Sequence, residues 1–107
     1  MTRYAFHPDA LRDLDEPWEY IAQDNLDAAN RVVADILNAC ESLGRLPHQG
    51  HHRPELTYLP LRFVVVRDYV LAYAPDEQPV WIVAVLNARR NPRVLAALLR
   101  DRRSGTS

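Results

Sequence analysis

The hydrophobic pattern of this chain changes period once, and that change restricts the fold more than any other feature. From Leu11 to Leu43 the apolar residues recur every three or four positions, as along one face of a helix. Leu11, Leu14, Trp18 and Ile21 form a first stripe, and Ala29, Val32, Val33, Ile36, Leu37, Cys40 and Leu43 form a second. From Leu61 the pattern alternates or runs on, in Leu61 to Val66, Tyr69 to Ala74 and Val80 to Leu86, as strands do. Residues 47–60 separate the two regimes, with three prolines, three histidines and no period. A chain of 107 residues has room for one core, so both halves must pack on each other.

Punctuation residues set the expected boundaries. Arg3 to Phe6 reads as a short strand, and His7-Pro8-Asp9 breaks it and opens a helix. Pro17 should kink that helix, or divide it in two near Glu16. Asp24 or Asn25 caps the second helix, and Gly44 is expected to take the left-handed conformation that ends it before Pro47. The two helices then form an antiparallel hairpin. Arg67-Asp68 and the Pro75–Pro79 segment are turns, which makes the three later strands an antiparallel meander. Asn91-Pro92 is a cap followed by a proline at the first helical position, opening a helix through Val94, Leu95, Leu98 and Leu99. The expected order is β-α-α-β-β-β-α. This is an α+β domain with an N-terminal strand and helical hairpin packed on an antiparallel sheet, covering 1–101, with 102–107 a frayed tail.

Several chemistries are excluded by composition. Lysine is absent, and the three glycines stand apart, so no phosphate loop or dinucleotide fingerprint can be written and no cofactor is implied. Ser42, Ser104 and Ser107 lie outside any nucleophile-elbow setting. Cys40, the one cysteine, sits in the second apolar stripe and reads as a buried structural thiol. His48, His51 and His52 share a proline-bracketed loop without the spacing that would aim them at one ion, so no metal site is expected. His7, before Pro8, reads as local structure. No apolar run reaches the roughly 20 residues that cross a bilayer, and a single unpaired cysteine with no leader-like N-terminus suggests a bacterial-type cytosol.

Charge is unevenly distributed. Residues 1–44 hold three arginines against nine acids, and 45–107 hold ten arginines against five acids. The second half is therefore the side expected to meet an acidic partner, unless its arginines pair with the acids of the helical half. Arg62 and Arg90 are expected in neighbouring parts of the sheet. Asn87, Arg89 and Arg90 should converge with the start of the last helix on a spot that favours an acidic ligand. Tyr69 and Tyr73 should share one sheet face, as packing or as a contact surface.

Several of these residues, in their order and spacing, resemble the ParE/RelE family of bacterial type II toxins, over roughly positions 3–100. The resemblance rests on Pro8-x-Ala10-x-x-Asp13-Leu14, on Trp18-Glu19-Tyr20-Ile21-Ala22 with Ala28-Ala29, and on Leu43-x-x-Leu46-Pro47-x-x-Gly50-His51. It continues through Arg53-Pro54-Glu55-Leu56-Thr57, Tyr69-x-x-x-Tyr73 and Val85-Leu86-Asn87-Ala88-Arg89-Arg90. It implies a small α+β toxin bound by an antitoxin whose acidic C-terminal segment wraps the toxin in a hetero-oligomer. Nuclease members carry lysines, an arginine after the middle-strand tyrosine and a tyrosine in the last helix. Here lysine is absent, Val70 follows Tyr69, no tyrosine follows Tyr73, and only Arg90 matches that branch. The chain is thus similar to the ParE-like, plasmid-stabilisation branch, with Asn87 where that branch often has a histidine. That branch implies a ParD-like antitoxin, DNA gyrase as target and no enzyme activity of its own. The resemblance suggests Arg90, Arg89, Asn87 and Arg62 for the target and Arg67, Tyr69 and Tyr73 for the antitoxin. A RelE-like ribosome-dependent endoribonuclease and a non-toxic antitoxin-binding module remain the alternatives.

Overall fold

The computed structural model describes residues 3–104. The elements are β1 (Tyr4–Phe6), α1 (Pro8–Arg12), α2 (Asp15–Ala22), α3 (Leu26–Arg45), β2 (Arg62–Val66), β3 (Tyr69–Ala74), β4 (Val80–Asn87) and α4 (Pro92–Ser104). Four strands form one sheet in the order β1-β4-β3-β2. The meander is antiparallel, and β1 adds to it in parallel along β4.

The sheet is covered on both faces. Ala10, Leu14, Val32, Ile36, Cys40 and Leu43 from the N-terminal helices pack on Leu71, Tyr73, Val80, Ile82 and Val85. On the opposite face, Leu56 and Leu61 from the long loop and Leu95 and Leu99 from α4 cover Phe63, Val70, Ala72, Ala84 and Leu86. Burial on two sides explains why β4 reads as an unbroken apolar run. It also carries a bulge: Ala72 pairs with Ala84 but Tyr73 with Ile82, which leaves Val83 unmatched on β3. The extra residue lets Val80, Ile82 and Val85 all face the helical layer.

Several local expectations are corrected. The first helix does divide, but at Asp13–Leu14 rather than near Glu16. Pro17 sits in the first turn of α2, where the missing N–H would have had no partner. Of the first stripe only Leu14 is buried; Trp18 lies nearer the surface, its indole N–H donating to Asn30 Oδ1 at 2.9 Å and so tying α2 to α3. Asn25 caps α3, accepting from Ala28 N at 2.9 Å. Gly44 is not a left-handed terminator: it lies inside α3, and none of the described glycines has positive φ. Its Cα faces β1, where an added Cβ would stand 2.6 Å from Arg3 Cβ. The residue with positive φ is Arg67, at 55°, in the β2–β3 turn. The last helix extends to Ser104, and the rest of the expected tail lies outside the described residues.

Candidate functional site

Where β1 ends, the outer edge of β4 loses its strand partner. His7 N donates to Ile82 O at 2.9 Å, and beyond that point the edge is completed by side chains. Asp13, at the α1–α2 break, accepts from Val85 N at 2.9 Å through Oδ2. Arg102 of α4 donates to both carboxylate oxygens of Asp13, Nη2 to Oδ1 at 2.7 Å and Nη1 to Oδ2, and Nη1 also reaches Val83 O at 3.2 Å. The two side chains are 18% and 11% exposed. Hydrogen bonding to Asp13 raises the Arg102 pKa above its ordinary value, with burial opposing it. Helices α1, α2 and α4 are thereby fixed to one stretch of β4.

That pair lies in a cleft of about 350 Å³ lined by α2, the ends of β3 and β4, and α4. Glu16, Pro17 and Tyr20 form one wall; Tyr69 and Asn87 are cross-strand partners on the sheet; Arg90 and Leu98 complete the other side. The β4–α4 connection is set by two asparagines. Asn87 Oδ1 accepts from Arg89 N at 2.9 Å and Asn87 O from Arg90 N at 3.1 Å, while Asn91 Oδ1 accepts from Arg93 N at 2.8 Å. This turn leaves Arg90 in the cleft, 3.8 Å from Glu16 Oε1 and beyond hydrogen-bond distance. Burial, then the charges of Asp68 and Glu16, push the Tyr69 phenol up.

The expected site residues separate into two groups. Asn87, Arg90 and Tyr69 line the cleft together. Arg89 points away, 3.7 Å from Asp68 of the β2–β3 turn. Arg62 does not join Arg90. It starts β2 opposite Tyr73, at the far end of the sheet, and its Nη1 donates to Gly50 O at 2.7 Å and His48 O at 3.2 Å. Tyr73 shares the helix-facing side of the sheet with Tyr69 but is fully buried, its hydroxyl accepting from Gly50 N at 2.9 Å, so no partner can touch it. Arg67 is held by Asp35 of α3 at 2.6 Å. Ion pairs between the two halves of the chain therefore hold Arg67 and Arg102, while Arg90 faces Glu16 without a hydrogen bond.

The remaining candidates have structural surroundings. His48 lies 3.4 Å from Asp76, His51 bridges to Phe63 through its backbone, and both are exposed. Among the described residues no three His, Cys, Asp or Glu side chains gather as a metal site would require. Buried His7 caps α1, Nδ1 accepting from Asp9 N at 3.0 Å, with its ring against Trp81. Cys40 is fully buried, which pushes its thiol up to about 12. A second hollow of about 490 Å³, near Trp81, Pro79 and Pro60, contains Glu77 as its one charged side chain and none of the expected residues. The cleft residues that the sequence reading missed are Glu16, Tyr20 and Arg102. Arg102 lies 89 positions from Asp13, and no local signal joins them.

A family model described as the ParE toxin of the type II toxin–antitoxin system parDE matches residues 4–92. A curated protein of Sinorhizobium fredii (strain NBRC 101917 / NGR234), named "Putative toxin Y4kP", is 39% identical over 93 residues, covering 80% of this chain and 88% of its own length. A solved structure titled "Chromosomal ParDE TA system from P. aeruginosa" superposes with a TM-score of 0.66 at 19% identity, over 80% of this chain and 95% of the other. No described helix is long and apolar enough to cross a membrane.

Proposed function

The chain belongs to the ParE toxin family of type II toxin–antitoxin systems, and from this premise we propose that it arrests growth in the cytoplasm by gripping DNA gyrase through the Arg90 cleft. The observation that carries this reading is the state of Arg90. It is the arginine of the β4–α4 connection that lines the cleft, its side chain is 47% exposed, and among the described residues no hydrogen bond engages its guanidinium. A planar fork in that position can take a carboxylate on a protein surface. Asn87 fixes the turn that presents it, and Arg89 adds charge on the adjoining surface.

RNA cleavage is supported less well. It needs a group that takes the 2′-hydroxyl proton and positive charge around the phosphate. The cleft contains neither histidine nor lysine, burial raises the Tyr69 phenol further above the pH at which it could give or take a proton near neutrality, and Glu16, exposed at the mouth, sets a carboxylate where a phosphate would enter.

In the same proposal a ParD-like antitoxin neutralises the toxin by covering the cleft with its acidic C-terminal segment. Tyr69 in the cleft and Arg67 in the β2–β3 turn are its proposed contacts, and the interface is on the order of 1,600 Å² or more. Purified gyrase tests the target: the chain should inhibit supercoiling or trap cleavage complexes, and the antitoxin should relieve it. A silent gyrase assay together with codon-boundary cuts in ribosome-bound messenger RNA, lost in Arg90→Ala, would overturn the proposal.

A further inference from the structure

The cleft holds two ion pairs of opposite character. Asp13 and Arg102 are nearly buried and joined at two points, and the pair is further bound to the β4 backbone. Glu16 and Arg90 face each other across the mouth at 3.8 Å, with side chains 83% and 47% exposed, and share no hydrogen bond. Opening an exposed pair of this kind changes affinity by about fivefold or less, so it is easily separated by an incoming group. The first pair is locked and the second is open.

We infer that the open pair is the reading element of the cleft, with Arg90 receiving an acidic side chain and Glu16 a basic side chain of one protein surface that carries both signs. The inference rests on the proposed function in one respect, that the cleft binds the growth-arresting target, and it names Glu16 as a second specificity-determining residue there. The charge count favours such a partner over a polyanion. Asp13 is matched by Arg102 and Glu16 by Arg90, so the lining has no net charge. A nucleic-acid backbone would place repeated phosphates beside Glu16, and each one held by Arg90 would meet that carboxylate. A bipolar protein surface exchanges one loose internal pair for two external ones and leaves no charge unmatched.

The sign of one substitution decides the matter. If Glu16 only screens Arg90 from an acidic ligand, Glu16→Gln raises potency; if Glu16 contacts a base on the target, it lowers potency. The experiment titrates inducer to half-maximal growth arrest at matched protein levels, for wild type, Glu16→Gln, Glu16→Asp, Glu16→Arg and Arg90→Ala. Each variant is also melted, because Glu16 lies in the first turn of α2, where a carboxylate favours the helix. Expected are a loss of fivefold or more for Glu16→Gln, partial recovery in Glu16→Asp, and no arrest with Glu16→Arg, all at nearly unchanged melting temperature. A twenty-nucleotide oligouridine should bind wild type weakly and Glu16→Arg better, with a steeper salt dependence in the variant. Glu16→Gln as potent as wild type or more so, while Arg90→Ala is inactive, overturns the inference and leaves the Arg90 reading intact. A wild-type chain that arrests growth without touching gyrase removes the gyrase proposal only. A wild-type chain that does not arrest growth removes both.

Discussion

Replacing Arg102 by alanine tests whether the Asp13–Arg102 pair holds α4 and the N-terminal helices to the sheet. In the folded protein Asp13 accepts from both terminal nitrogens of Arg102, Nη1 and Nη2, and from Val85 N, and it is 18% exposed. Arg102→Ala leaves that carboxylate with one backbone donor and little water. Stranding one member of a buried pair costs about 3–5 kcal/mol, and the remaining access to solvent lowers the expectation here to about 2–3 kcal/mol. For a domain of this size that corresponds to a fall in melting temperature of roughly 10–20 °C. Arg102→Lys keeps the charge but loses the two-point fork, so about 1 kcal/mol is expected. Asp13→Ala also strands the Val85 N–H and should cost at least as much as Arg102→Ala. The double variant should cost less than the sum of the two, by about 1–3 kcal/mol. Urea and thermal unfolding give these values, and hydrogen exchange at the Val85 amide should accelerate in both single variants. Arg102→Ala within 0.5 kcal/mol of wild type, the range usual for a surface residue, would refute the reasoning.

Three further outcomes follow from particular contacts. Cys40 is protonated in the fold up to about pH 12, against an ordinary value of 9.0. The unfolded chain therefore loses that proton first, and stability should fall as pH rises through this window by up to about 1.4 kcal/mol per pH unit. Cys40→Ala should flatten the slope of stability against pH, and an unchanged slope contradicts the assignment. Gly44→Ala would gain about 1 kcal/mol from helix propensity alone, but its Cβ would meet Arg3 Cβ at 2.6 Å and Arg3 O at 3.1 Å, so net destabilisation is expected on melting. Arg62→Ala should weaken the 47–60 loop and lower stability by about 1–2 kcal/mol, since the lost hydrogen bonds come from a charged donor. Its remaining folded population should still arrest growth, and loss of toxicity with the fold intact would return Arg62 to the target surface.

Those parts of the fold that depend on local chemistry were legible in the sequence. Asn25 and Asn91-Pro92 mark helix starts because their side chains or ring serve the first turn whatever lies beyond it. The meander followed from alternation and turns, and Cys40 from its place in a stripe. Features set by distant segments were not. Gly44 looks like a terminator until β1 is placed against it, and β1 could be placed only by knowing that it joins β4 in parallel across the whole chain. Arg62 and Arg90 were separable in principle: in an antiparallel meander the start of one strand lies beside the end of the next, which puts them at opposite ends. Tyr73 and Arg67 carry residue types suited to binding but are taken up by Gly50 and Asp35. Asn87 and Arg90 came together because they sit three positions apart in one turn, whereas Glu16, Tyr20 and Arg102 reach the cleft only through tertiary packing.

The central claim is that Arg90 serves recognition and not the fold, and Arg90→Ala tests it most directly. Among the described residues its one ion pair is the exposed contact to Glu16, so the substitution should change stability by about 1 kcal/mol or less. Growth arrest on induction, measured beside thermal melting of the purified variant, should be abolished in a protein that melts close to wild type. A variant that still arrests growth fully, or one that fails only because it unfolds, would contradict the account.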